Sequence, residues 1–169
     1  MDFHRIIRSL SLRQITAITA KVILNPIMFY CFVIATKKCI SRCNKHFGKA
    51  HHKNNKANAY RHALWNMLIT HQCIKAGKNL NSSLSWAEEI TNWHEKAFVN
   101  NPLETHMDLH NNKIGRKWYE KCYTADPMKI GEQWLDQFLM EKLKSAKKLI
   151  KEGSENNVFE ENLVFIQEG

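Results

Sequence analysis

Asp108, Asn111 and Asn112 stand at i, i+3 and i+4 within the run Asp108–Arg116, D-L-H-N-N-K-I-G-R. On a helix that spacing puts one carboxylate and two carboxamides on one face. Asn is a mediocre helix former, so two in succession imply side chains with partners. Oxygen donors of this kind suit a hard cation, Ca2+, Mg2+ or Mn2+, and Asp108, Asn111 and Asn112 are its expected ligands. Arg116, one turn past Asn112, can neutralise a phosphate or carboxylate. Two more polar groups lie upstream, each inside an apolar helical pattern. Arg61 and His62 precede Asn66, with His62 and Asn66 at i and i+4. His94 and Glu95 are adjacent, so their side chains diverge by about 100° on a helix and one must orient what the other does.

If the three groups converge, His62, His94, Glu95 and Asp108 are the candidate catalytic residues, and Arg61, Asn66 and Arg116 the candidate substrate-binding ones. With a metal, the ion polarises a carbonyl or phosphoryl oxygen while His62 or His94 activates water. Without one, Glu95 serves as general acid and Asp108 as second carboxylate, as in glycoside cleavage. The plainer alternative is a buried polar network that stitches helices together. His106 and His110, also at i and i+4, have metal-competent spacing and rank below Asp108.

These side chains need a helical frame, and the chain supplies one. The spacing predicts helices from Ser11 toward Leu24, from Pro26 to about Phe47, from about Ala57 to Ala76, and from a Ser85-x-x-Glu88 capping box to about Ala97. Asn100-Asn101-Pro102 breaks the pattern, and a fifth helix follows from about Glu104 to Cys122. A turn at Thr124–Pro127 opens a sixth, striped by Ile130, Trp134, Leu135, Phe138, Leu139, Leu143 and Ala146 and ending at Gly153. Gly48–Lys56 reads as an exposed linker. Asn162–Ile166 has strand character without an evident partner. The expected fold is all-α: a single-domain orthogonal bundle of five to six helices with a short C-terminal extended segment. Its parts are a basic, apolar N-terminal region (1–56), a motif-bearing core (57–153) and a tail (154–169).

The 169 residues suffice for one domain with a real core. The net charge of +9 is unevenly placed. Residues 1–57 carry 11 Lys/Arg against Asp2 alone, and residues 58–169 carry 14 against 15 acids. The basic third can attract an anionic membrane surface or, less readily, nucleic acid, or it can simply solubilise the chain. Val22–Thr36 is uncharged and apolar but shorter than the roughly 20 residues of a spanning helix, and Asn25-Pro26 interrupts it. Arg5, Arg8 and Arg13 precede it without a small-residue cleavage site, so a buried or interfacial helix is expected rather than a signal peptide, with a membrane anchor as the alternative. Five cysteines suggest buried free thiols in a reducing compartment. Cys39-x3-Cys43 with His46, His51 and His52 has zinc-like composition but no established zinc spacing.

The motifs together resemble a family. Asn25-Pro26, the run Asn58–Asn66 (N-A-Y-R-H-A-L-W-N), His94-Glu95 and the run Met107–Arg116 follow the pattern (D)AFRHAxWN…HE…MDLxNNxxGR of the uncharacterised bacterial domain DUF6973. The resemblance spans about residues 20–122. Asn58 departs from it, an Asp being usual there. It implies a bacterial protein and, because such domains also end large secreted proteins of the polymorphic-toxin kind, an effector or toxin. It implies no particular reaction. The leading expectation is therefore a small hydrolase, cytoplasmic until exported and then peripheral to the membrane. It would act on phospholipid or another phosphate- or ester-bearing envelope substrate, with an immunity or carrier protein as partner. A metal-dependent nuclease toxin and a non-catalytic interaction module are the alternatives.

Overall fold

The computed structural model describes residues 11–98, 101–150 and 161–167. Among them are six α helices: α1 (Leu12–Leu24), α2 (Pro26–Phe47), α3 (Lys56–Lys75), α4 (Leu80–Ala97), α5 (Pro102–Ala125) and α6 (Glu132–Leu143). Two short strands follow, β1 (Lys147–Lys148) and β2 (Val164–Phe165). The all-α bundle with a short C-terminal extended segment is thus the observed architecture.

The hub is α3. Asn55 caps it by accepting from the Ala57 and Asn58 amides, and every residue from Ala57 to Cys73 except Arg61 is buried. A helix apolar or satisfied all round belongs at the centre of a bundle. Here α2, α4, α5 and α6 all pack against it. Ala63, Leu64, Met67 and Leu68 are fully buried, as their pattern predicts. Gly77, at φ +82°, ends α3, and Asn79 at once caps α4 by accepting from the Ser82 amide. The expected start at Ser85 is therefore a correction: the Ser85/Glu88 pair lies inside a helix that Asn79 has already opened. Similarly, α6 stops at Leu143 instead of running past Ala146, because Lys147 and Lys148 leave it for the sheet. The expected end at Gly153 lies outside the described residues, as do Asn100, Arg5 and Arg8.

Much of the basic charge on α2 is spent locally. Lys38 pairs with Glu132, and Arg42 donates to Asp136 at 2.8 Å. His46 also reaches Asp136, at 2.9 Å, while His51 bonds Asn44 at 2.9 Å. The zinc-like set of Cys39, Cys43 and His46 is accordingly not gathered about one point. The Cys39 thiol donates to the Arg61 carbonyl instead, and burial pushes its pKa well up.

The tail strand finds its partner within the chain. It runs parallel to β1, with Lys147 opposite Val164. Asn111 clamps it: its Nδ2 donates to the Val164 carbonyl at 2.8 Å, and its Oδ1 accepts from the Val164 amide at 2.9 Å. Asn111→Ala strands both backbone groups in a buried place, at a cost of about 1–3 kcal/mol. The expected result is faster hydrogen exchange at Val164 with the α3 amides still protected. Unchanged protection at Val164 would show that the clamp contributes nothing.

Candidate functional site

Positioning begins where α3 meets α5. A Cβ built on Gly115 would lie 2.4 Å from the Ala63 carbonyl oxygen, so the two backbones touch there. That closeness lets short amide side chains span the gap. Asn66 Nδ2 donates to Asn112 Oδ1 at 2.7 Å and to the His62 carbonyl at 3.1 Å. Asn66 Oδ1 accepts from Arg116 Nη1 at 2.8 Å and from Thr91 Oγ1 at 3.3 Å. Arg116 Nη2 continues outward to Glu88 at 3.0 Å. On the other side, Asn112 Nδ2 donates to Glu95 Oε1 at 3.2 Å.

This chain of amides fixes His62. A guanidinium only donates, so Arg61 Nη2, 2.9 Å from His62 Nε2, requires a lone pair there. The ring proton then sits on Nδ1 and is donated to Asn112 Oδ1 at 3.2 Å. Burial, then the Arg61 charge, hold the imidazole pKa well below its usual value, so the ring is neutral. Its Nε2 also faces Asp108 Oδ1 at 3.3 Å, and its Nδ1 lies 3.6 Å from Glu95 Oε1. Burial raises the Glu95 pKa to about 7, against the pull of Asn112 and Arg61. Two carboxyls and an imidazole, each at most 5% exposed, thus share one small volume.

The three groups expected to converge do so through His62, Glu95 and Asp108. Their ligating atoms lie within 4.8 Å of one another. Four residues depart from their expected roles. Asn111 spends both amide atoms on β2, because at i+3 from Asp108 its side chain swings to the strand side of α5; it is no ligand. His94 packs its ring on Trp65 and Phe98, at centroid distances of 5.0 and 4.8 Å, since its neighbour Glu95 takes the inward direction. Burial and Arg61 lower its pKa to about 4. Asn66 and Arg116, expected to bind substrate, are buried and spend their polar groups on Asn112, Glu88 and each other. His110 donates to the Asn162 carbonyl at 2.9 Å, holding the tail. Arg61 alone among the α3 site residues is only partly buried.

Glu88 and Thr91 were not anticipated. Glu88, Thr91 and Glu95 recur at i, i+3 and i+7, the spacing of one helix face, and that signal was present in the sequence. The cluster is nearly closed, but Glu95 also lines a half-open cleft of ≈ 300 Å³ between α4 and α5, with Asn92, Lys96, Thr105 and Leu109. Glu95 thus belongs both to the polar cluster and to the lining of that cleft.

The model of a family described as a domain of unknown function, DUF6973, matches residues 19–147. The chain belongs to the DUF6973 family. The match runs beyond the motifs to take in α6, the helix whose Glu132 and Asp136 hold α2. No curated protein and no solved structure matches the chain. Asn58, where the DUF6973 pattern has an Asp, lies one turn before His62, is 3% exposed, and its Oδ1 accepts no hydrogen bond among the described residues.

Proposed function

We propose that this DUF6973 protein is a hydrolase acting on a phosphate- or ester-bearing substrate of the bacterial envelope, phospholipid foremost. The observation that carries this reading is the meeting of His62, Glu95 and Asp108 beside a cleft that Glu95 helps to line. A carboxyl poised near neutrality takes a proton from water most effectively at physiological pH. Glu95 is that base. The His62 Nε2 lone pair and Asp108 orient the water. Arg61, the partly exposed member, turns from His62 to hold the anionic group of the substrate.

A divalent cation such as Mg2+ or Ca2+ suits the same donors, because a neutral imidazole and carboxylates are the forms that ligate. The buried Asn58 oxygen, one turn away on the same face of α3, adds to this. When bound, the cation would lower the pKa of water and share the charge of the attacked oxygen.

The test uses the purified chain with fluorogenic phospholipid, phosphodiester and short-chain ester substrates, each with and without added divalent cation and with chelator. Asp108→Asn and Arg61→Ala are expected to lose at least about a hundredfold in rate, the scale of a general acid–base or anion-clamp contribution. Their melting temperatures should stay within a few degrees of the parent. Equal turnover by both variants would sink the reading. Cleavage of plasmid or RNA in place of lipid would point to the nuclease alternative. Against that alternative, Lys38, Arg42 and His46 are already engaged by the α6 acids.

The non-catalytic alternative also has an observation in its favour. Both amide groups of Asn66 and Asn112 are already bonded within the chain. On that reading the same substitutions mainly cost stability.

A further inference from the structure

The most unusual surface of this chain lies away from the polar cluster. Helix α1 contributes no buried residue. It is tethered to α4 by Gln14 Nε2 on the Ala97 carbonyl at 3.2 Å and by the Lys21–Glu89 ion pair, with Ile18 packed against the core. At Asn25-Pro26 the chain turns by 112° into α2, so α1 and α2 form a V. The large apolar side chains at its tip face water: Ile23 is 72% exposed, Leu24 76%, Ile27 52% and Tyr30 66%. Among soluble surfaces, a contiguous apolar group of this kind marks a contact site.

Charge indicates what covers it. No Asp, Glu, Lys or Arg occurs from Val22 to Thr36. Cations border that stretch on both arms, Arg13 on α1 and Lys37 on α2, while Lys21 and Lys38 are paired with Glu89 and Glu132. Asp2 is the one acid before residue 58. No single described helix is long and apolar enough to cross a membrane. An exposed apolar tip flanked by Arg13 and Lys37 matches a bilayer interface bearing anionic headgroups, and Tyr30 has the amphipathic ring favoured there.

We infer that the α1–α2 corner is a wedge that docks this protein on anionic lipid bilayers, with Ile23, Leu24, Ile27 and Tyr30 inserting and Arg13 and Lys37 meeting the headgroups. Docking stands apart from the reaction proposed above. It is measured on the Asp108→Asn chain as well as the parent, so loss of chemistry and loss of binding are read separately.

The experiment is co-sedimentation with vesicles of phosphatidylcholine alone and of phosphatidylcholine mixed with phosphatidylglycerol. Binding is expected to the mixed vesicles, weaker to the neutral ones, and reduced by salt. The exposed double variant Leu24→Asp/Ile27→Asp should lower affinity for the mixed vesicles at least about tenfold. Its melting temperature should be unchanged, since neither side chain is in the core. Lys37→Glu should reduce the preference for phosphatidylglycerol and leave residual binding. Absence of sedimentation with mixed vesicles, or full binding by the double variant, overturns the inference. So does a dimer in light scattering that the double variant dissolves, which would give this face to a second copy of the chain.

Discussion

Glu95→Gln is expected to make the protein more stable above neutral pH while removing the hydrolytic activity proposed above. Burial lifts the Glu95 pKa from an ordinary 4.5 to about 7. Between those values the folded chain holds a proton that the unfolded chain has released. Stability is therefore fullest below about 4.5 and declines as pH rises through about 7. The gap corresponds to about 3 kcal/mol, an order-of-magnitude figure, withheld from the folded state at alkaline pH. Gln carries no charge to desolvate. Its side-chain oxygen can still accept from Asn112 Nδ2, which donates to Glu95 Oε1 at 3.2 Å in the parent. The difference in melting temperature between Glu95→Gln and the parent should thus be small near pH 4 and grow toward pH 8. A variant that melts below the parent at every pH would mean that the ionised carboxylate is a structural partner and that its burial does not destabilise the fold. Full activity in the variant would remove Glu95 as the base. A gain in stability together with a loss of turnover is the pattern of a group kept for function at a cost to the fold.

The sequence made the helical frame legible because its boundaries are written in local chemistry. Asn25-Pro26, Gly77 and Asn101-Pro102 act within a few residues of where they stand, and the structure breaks its helices at each. Ser85 misled because a capping box describes a possible helix start, not a necessary one. Asn79 stood six residues earlier with the same capacity to accept an amide. The tail strand lacked a visible partner because strand pairing is non-local, and Lys147–Lys148 has no strand signature of its own. Its anchor, Asn111, reads in the sequence as a metal ligand instead. Spacing puts Asp108, Asn111 and Asn112 on roughly one face, but a helix face is broad. Asn112 points to His62 and Asn111 to Val164 because two different neighbours flank α5. The convergence of His62 with Glu95 and Asp108 was expected from residue types alone. Its near closure was not, because burial depends on what α1 to α6 cover and no single helix records that. His94 and Glu95 divided their duties as adjacent helical residues must, but the sequence did not say which would turn inward.

That convergence rests on one close approach, so Gly115→Ala is expected to do more damage than any other one-methyl change considered. The added carbon would sit 2.4 Å from the Ala63 oxygen, 2.8 Å from its Cα and 3.0 Å from its carbonyl carbon. All three are backbone atoms, so no rotamer relieves the clash and α5 must move off α3. Overpacking of this kind costs about 1–3 kcal/mol or more. The movement also stretches the Asn66–Asn112 bond of 2.7 Å and the His62–Asn112 contact of 3.2 Å, leaving buried polar atoms unmet at about 1–3 kcal/mol each. A combined loss of about 4 kcal/mol is a large share of the whole stability of a domain this size. Chemical denaturation should show the midpoint of Gly115→Ala falling far below that of the parent. Ala63→Gly should not rescue it, because the obstructing atoms remain. Gly131→Ala is the control: nothing lies within 4 Å of its added carbon, and only the N-cap preference at the start of α6 changes, by about 1 kcal/mol or less. If Gly115→Ala proves as mild as Gly131→Ala, then α3 and α5 do not touch at Ala63, and the amide bridge that holds His62 in place loses its footing.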